Sequence, residues 1–107
     1  MIKIGTVDQF NEYKKYQLSI DNQRLLLVHS ESGYYFMHDA CGHFGVSLGT
    51  ASCENDQITC PVHGLVFSIH DGSVINRPWD NCVPLTMIPL IEKDGYFWVE
   101  SIPPRNE

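Results

Sequence analysis

The sequence predicts an all-β fold, an antiparallel sandwich or barrel. Three observations predict it. Apolar residues come in short runs, and several of them alternate with polar ones. About nine such runs are separated by turn signals at close spacing. No long stretch repeats its apolar residues with helical period. A chain of 107 residues suits one domain with one core, residues 1–107.

Taken in order, Ile2 and Ile4 alternate as an opening strand. Thr6 and Gln9 have capping-box spacing, and Phe10 and Tyr13 fall three apart, so a short helix is expected over Val7 to Lys14. Tyr16 to Ile20 and Gln23 to Ser30 read as strands around an Asp21-Asn22 turn. The unbroken apolar run Leu25 to Val28 marks a buried strand. Glu31-Ser32-Gly33 turns into Tyr34 to His38, another strand. From Asp39 to Cys60 the pattern loosens, and six glycines fall from Gly33 to Gly72. Val66 to His70 is strand-like and closes on Asp71-Gly72. Asn76 to Pro84, with two prolines, reads as a loop. Leu85 to Ile91 is apolar, and its Pro89 is best tolerated at an edge or bulge. Asp94-Gly95 is a hairpin signal before the last strand, Tyr96 to Val99. Pro103 to Glu107 is expected to fray.

The formal net charge is −6, from 13 acidic and 7 basic residues. That argues against a nucleic-acid partner, which needs a basic surface, and for basic patches on protein partners. No apolar stretch reaches membrane-spanning length, and the N-terminus has no signal-peptide core. A cytoplasmic chain with no membrane association is expected. Four cysteines in such a chain point to metal or redox chemistry rather than disulfides.

Two pairs carry that chemistry: Cys41-Gly42-His43 and, separated from His43 by sixteen residues, Cys60-Pro61-Val62-His63. Two thiolates and two imidazoles suit tetrahedral zinc or an iron–sulfur cluster with mixed ligands. Structural zinc sites more often gather like ligands on each arm. Here each arm offers one of each, which suits two irons held between two loops. Gly45 follows His43 at two residues and Gly64 follows His63 directly. Glycine beside a ligand lets backbone N–H groups approach inorganic sulfur, and Pro61 stiffens the second loop. Cys53 and Cys82 read as non-ligands, the set being complete without them, although a disulfide between them is not tested by sequence. His29, His38 and His70 read as strand-end or surface histidines, with His38 the nearest to Cys41.

The segment Cys41 to Gly72 resembles the Rieske family signature, Cys-x-His-x-Gly-x-x-Leu followed by Cys-Pro-x-His-Gly-x-x-Phe. The resemblance implies an antiparallel β base with a cluster-binding subdomain at about residues 39–72. It implies one [2Fe–2S] cluster on Cys41, His43, Cys60 and His63, with Gly42, Gly45, Pro61 and Gly64 shaping its surroundings. It also implies imidazoles near the surface, where a partner docks. Respiratory members of the family carry a disulfide between the two loops. Val46 and Val62 stand at those positions here, and Leu65 and Phe67 replace hydroxyl residues that bond to sulfur. Fewer such bonds predict a potential near the low end of the Rieske range, roughly −150 mV. In this the chain is similar to soluble ferredoxins of aromatic-ring dioxygenase and monooxygenase systems.

The function that follows is a non-catalytic electron carrier, monomeric, between a flavin-dependent reductase and a terminal oxygenase. The alternatives are a small subunit of a nitrite-reductase-type complex and a zinc-stapled structural module. A further expectation concerns Trp79 in Arg77-Pro78-Trp79-Asp80, which covers the cluster, presents an aromatic docking surface or packs on the β base.

Overall fold

The computed structural model describes residues 1–41, 45–62, 64–76 and 82–105. In chain order they form β1 (Ile2–Thr6), a 3-10 helix (Val7–Phe10), β2 (Lys15–Ile20), β3 (Gln23–Ser30), β4 (Gly33–His38), β5 (Ser52–Glu54), β6 (Gln57–Thr59), β7 (Val66–Ser68), β8 (Ile91–Lys93) and β9 (Tyr96–Val99). The all-β expectation holds. Three antiparallel sheets result, ordered β1-β9-β8, β2-β3-β4 and β5-β6-β7.

The sheet β2-β3-β4 is the wall between two cores. Side chains alternate across a strand, so the run Leu25 to Val28 is buried on both faces. Leu25 and Leu27, with Phe36 of β4, meet Phe10, Ile88, Phe97 and Val99. Leu26 and Val28, with Met37, meet Leu48, Ile58, Leu65, Phe67, Cys41 and Cys60. The second core thus joins the base to the part of the chain that carries both cysteine–histidine pairs.

Several boundaries differ from the expectation. The helix is one 3-10 turn rather than Val7 to Lys14. Its capping box forms, with Gln9 N donating to Thr6 Oγ1 (3.2 Å) and Thr6 N to Gln9 Oε1 (2.8 Å). Only Phe10 is buried there, edge-on to Tyr16 with ring centroids 5.0 Å apart, while Tyr13 is 69% exposed. A second turn would have no apolar face to bury. The stretch read as irregular contains the hairpin β5–β6, turned by Asn55 and Asp56 at φ 54° and 59°. Leu85 to Ile91 is not a strand until Ile91. Beside Phe36 and His38 it makes isolated bonds, Ile88 N to Phe36 O (2.8 Å) and His38 N to Thr86 O (3.0 Å). The tail does not fray through Arg105: Pro103 O lies 2.6 Å from His38 Nε2, and Ile102 packs on the first core. His38 is therefore buried rather than a surface group. Residues 106–107 and the Trp79 loop lie outside the described residues.

Candidate metal centre

Two loops leave β4 and β6, and they close in the same way. In the first, Cys41 N donates to Val46 O (2.7 Å) and Gly45 N donates to Cys41 O (2.8 Å). In the second, Cys60 N donates to Leu65 O (2.8 Å) and Gly64 N to Cys60 O (3.0 Å). Each loop therefore returns on a glycine four residues after its cysteine. Gly45 has φ 67° and Gly64 φ 69°. A side chain in that left-handed region costs about 1–2 kcal/mol, so glycine is needed at both positions for the turn itself.

The matching closures bring the two cysteines together. Cys41 is 0% and Cys60 1% exposed, and both lie in the same buried cluster, with Cys60 close enough to act on the Cys41 thiol. Burial, with the neighbouring Cys60, pushes the Cys41 thiol up to about 12. Left alone, the buried Cys41 thiol keeps its proton; a bound metal supplies the positive charge that releases it. Two thiols buried in one apolar cluster at the bases of twin loops are thus a donor set suited to a thiolate-bound iron centre. Leu65 and Phe67 are buried in the same cluster of side chains as both sulfurs. Pro61 is exposed at the start of the second loop and Val62 is 62% exposed beyond it. His43, His63 and Gly42 lie outside the described residues.

The residues that hold the loops are not ones the sequence singled out. Asp39 is buried, and its carboxylate accepts from Leu48 N (2.6 Å), Ser47 Oγ (3.0 Å) and Gln17 Nε2 (3.2 Å). Lys15 Nζ donates to Leu48 O (3.1 Å) and to Ala51 O. Burial lowers the Lys15 ammonium below the usual lysine range, against the opposing charges of Cys53 and Asp39. Arg24 Nη2 donates to Gly45 O (2.8 Å). On the second loop, Asn76 Nδ2 donates to Gly64 O (2.8 Å) and its Oδ1 accepts from Val66 N (3.1 Å). Asp39 carries a local signal, since a short carboxylate entering a glycine-rich loop commonly accepts from loop amides. Lys15 and Arg24 act across more than twenty residues and have none.

The remaining cysteines and histidines sit elsewhere. No disulfide joins Cys53 and Cys82, and both pack against the second core. His70 is exposed but engaged: its Nε2 is 2.9 Å from Asp56 Oδ2, which also accepts from Ser32 Oγ (2.7 Å). His29 stacks on Tyr34 with ring centroids 3.9 Å apart.

A family model described as Rieske [2Fe-2S] domain matches residues 1–89. Cholesterol 7-desaturase of Caenorhabditis elegans is 32% identical over 92 residues; the match covers 77% of this chain but 22% of that much longer protein. The fold is that of a ferredoxin from Sphingomonas yanoikuyae B1, with a TM-score of 0.80 at 18% identity, covering 94% of this chain and 98% of that one. A chain in the complex of reduced oxygenase and oxidized ferredoxin in carbazole 1,9a-dioxygenase superposes with a TM-score of 0.77 at 23% identity, covering 92% and 90%. Among the described residues no helix is long and apolar enough to cross a membrane.

Proposed function

We propose that this chain, which belongs to the Rieske [2Fe–2S] domain family, is an electron-transfer protein that takes single electrons from a flavin-dependent reductase and gives them to a terminal oxygenase. In this reading residues 1–107 form one domain and work in the cytoplasm, and the chain transforms no substrate itself. It carries one Rieske-type cluster. The ligands in this proposal are Cys41, His43, Cys60 and His63. The observation that supports it is the burial of both thiols in one cluster, at equivalent positions of two loops closed by the same pair of backbone hydrogen bonds.

When bound, the cluster supplies reversible one-electron chemistry. The chain supplies the rest. Cys41 and Cys60 are held inside, away from water, and the apolar side chains of Leu65 and Phe67 offer sulfur no hydroxyl donor. That surrounding supports a potential near −150 mV, roughly the low end of the family's range. Val46 and Val62 leave the two loops without a covalent tie, so Asp39, Lys15 and Asn76 hold the loops with hydrogen bonds instead. Partner choice is supported by the likeness to a ferredoxin seen with an oxygenase.

The test replaces each proposed ligand by alanine, and Cys53 and Cys82 by serine. Loss of iron and acid-labile sulfide is expected from the first four changes and retention from the last two. A Cys53→Ser or Cys82→Ser chain that loses iron while Cys41→Ala keeps it would reject the assignment. Reoxidation of the reduced holoprotein by a terminal oxygenase with substrate and oxygen then tests the carrier role.

A further inference from the structure

The charges of this protein are distributed unevenly. There is no Asp, Glu, Lys or Arg from Ala40 to Cys53, nor from Gln57 to His70. Between those stretches the charged residues are Glu54 and Asp56, at the β5–β6 turn and so at the other end of that hairpin from the loops. The loop end is thus uncharged over both loops of a chain whose net charge is −6. It is also apolar at its surface: Val62 is 62% exposed and Ile75 47% exposed. Ile75 lies beside the second loop, its N donating to Val66 O (2.7 Å) and its neighbour Asn76 bonding Gly64 O.

Among the described residues, two arginines border this end on the side of the first loop. Arg24 is exposed and donates to Gly45 O (2.8 Å). Arg105, from the tail, lies against Gly45, so that a Cβ added there would run into its guanidinium. The two arginines line one cavity of about 230 Å³ with Gln23, His38, Asp39 and Ala40. Asp39 lines the same cavity, and its single negative charge offsets part of theirs, leaving two cations against one anion there. Gly45 N in turn bonds Cys41 O. The cations therefore sit over the loop that carries a proposed ligand.

We propose that this end is a docking face with a sign opposite to that of the whole protein. Val62 and Ile75 form its apolar part, Arg24 and Arg105 its cationic rim, and its occupant is the electron-transfer partner's acidic, carboxylate-bearing surface. Net charge alone points to basic partner surfaces; the local field at the exchange edge points the other way. Interfaces commonly combine an apolar centre with a polar rim, and a rim charge acts chiefly on encounter rate and its salt dependence. The inference rests on the electron-carrier reading.

The test needs no natural partner. The reduced holoprotein is mixed by stopped flow with a trianionic oxidant, hexacyanoferrate(III), or a tricationic one, tris(phenanthroline)cobalt(III), over a range of salt. Each event removes one electron from the holoprotein and reduces one hexacyanoferrate(III) to hexacyanoferrate(II), or one cobalt(III) complex to cobalt(II). With the anionic oxidant the rate constant is expected to fall as salt rises, despite the net charge of −6. Arg24→Gln and Arg105→Gln should each lower the low-salt rate about threefold, and the double variant should reverse the salt dependence. Arg24→Lys and Arg105→Lys keep the charge and should keep the rate. A wild-type rate that rises with salt overturns the proposal, as does an equal loss in the Gln and Lys variants, which would make the arginines merely structural. A low-salt dimer that the Gln variants dissolve would assign the face to a second copy and also overturn it. A protein whose visible absorbance does not bleach on reduction fails earlier, and then it is the electron-carrier reading that falls.

Discussion

Asp39→Ala removes the carboxylate that holds the far side of the first loop. The bond from Leu48 N is short at 2.6 Å, buried, and made to a charged acceptor. Such a bond contributes about 1.5–3 kcal/mol, and its loss leaves a buried amide without an acceptor. The bonds from Ser47 Oγ (3.0 Å) and Gln17 Nε2 (3.2 Å) lie nearer to solvent and add about 0.5–1 kcal/mol together. Removing a buried charge returns part of its desolvation cost. The net is a loop loosened by about 2–3 kcal/mol. If cofactor release passes through opening of this loop, that corresponds to a rate increase of about 30–150-fold. The assay is the bleaching rate of the visible absorbance of the oxidised holoprotein in fixed moderate urea with excess iron chelator. Asp39→Asn keeps one acceptor oxygen without the charge and should fall between wild type and Asp39→Ala. A bleaching rate for Asp39→Ala within twofold of wild type would show that the carboxylate is not what holds the loop closed.

Gly64→Ala should destabilise by about 1–2 kcal/mol, the cost of a left-handed alanine in open space. Gly45→Ala should cost more, because Arg105 must also give way, and adding Arg105→Ala should bring the two into line in denaturant titrations. Asn76→Ala removes two hydrogen bonds on the second loop and should cost about 1–2 kcal/mol, read as faster hydrogen exchange of the Val66 amide. Phe67 is fully buried, and Phe67→Ala should cost about 3–5 kcal/mol in global stability. The Ser32 hydroxyl and then His70 hold the Asp56 carboxyl below the usual range. A lowered carboxyl contributes stability above its unfolded value, about pH 4, and loses it as pH falls through the folded value. Asp56→Asn should therefore flatten the acid limb of melting temperature against pH, and an unchanged limb would reject that role.

Most of the architecture was legible in local pattern. Leu25 to Val28 announced a strand buried on both faces, and Asp21-Asn22 and Asp94-Gly95 announced two-residue turns that adopt positive φ. The β5–β6 hairpin was missed because its strands are three residues long and its Asn55-Asp56 turn lacks the usual glycine. The helix was overextended because Phe10 and Tyr13 share helical spacing, although only Phe10 finds an apolar surface. Cys41 and Cys60 were singled out by spacing, and the structure buries both in one cluster. Their supports were not, since Lys15 and Arg24 reach loops that follow them by more than twenty residues, and the tail that brings Arg105 to Gly45 reads as a disordered end.

The most direct test of the central claim, a cluster held by two cysteines and two histidines, is electron paramagnetic resonance of the dithionite-reduced protein after expression with iron. The reduced protein should give a spin-half signal whose average g lies below that of an all-cysteine [2Fe–2S] protein, lost in Cys41→Ala and His63→Ala and kept in Cys53→Ser. A silent sample holding stoichiometric zinc and no acid-labile sulfide, unchanged by anaerobic reconstitution, would contradict it.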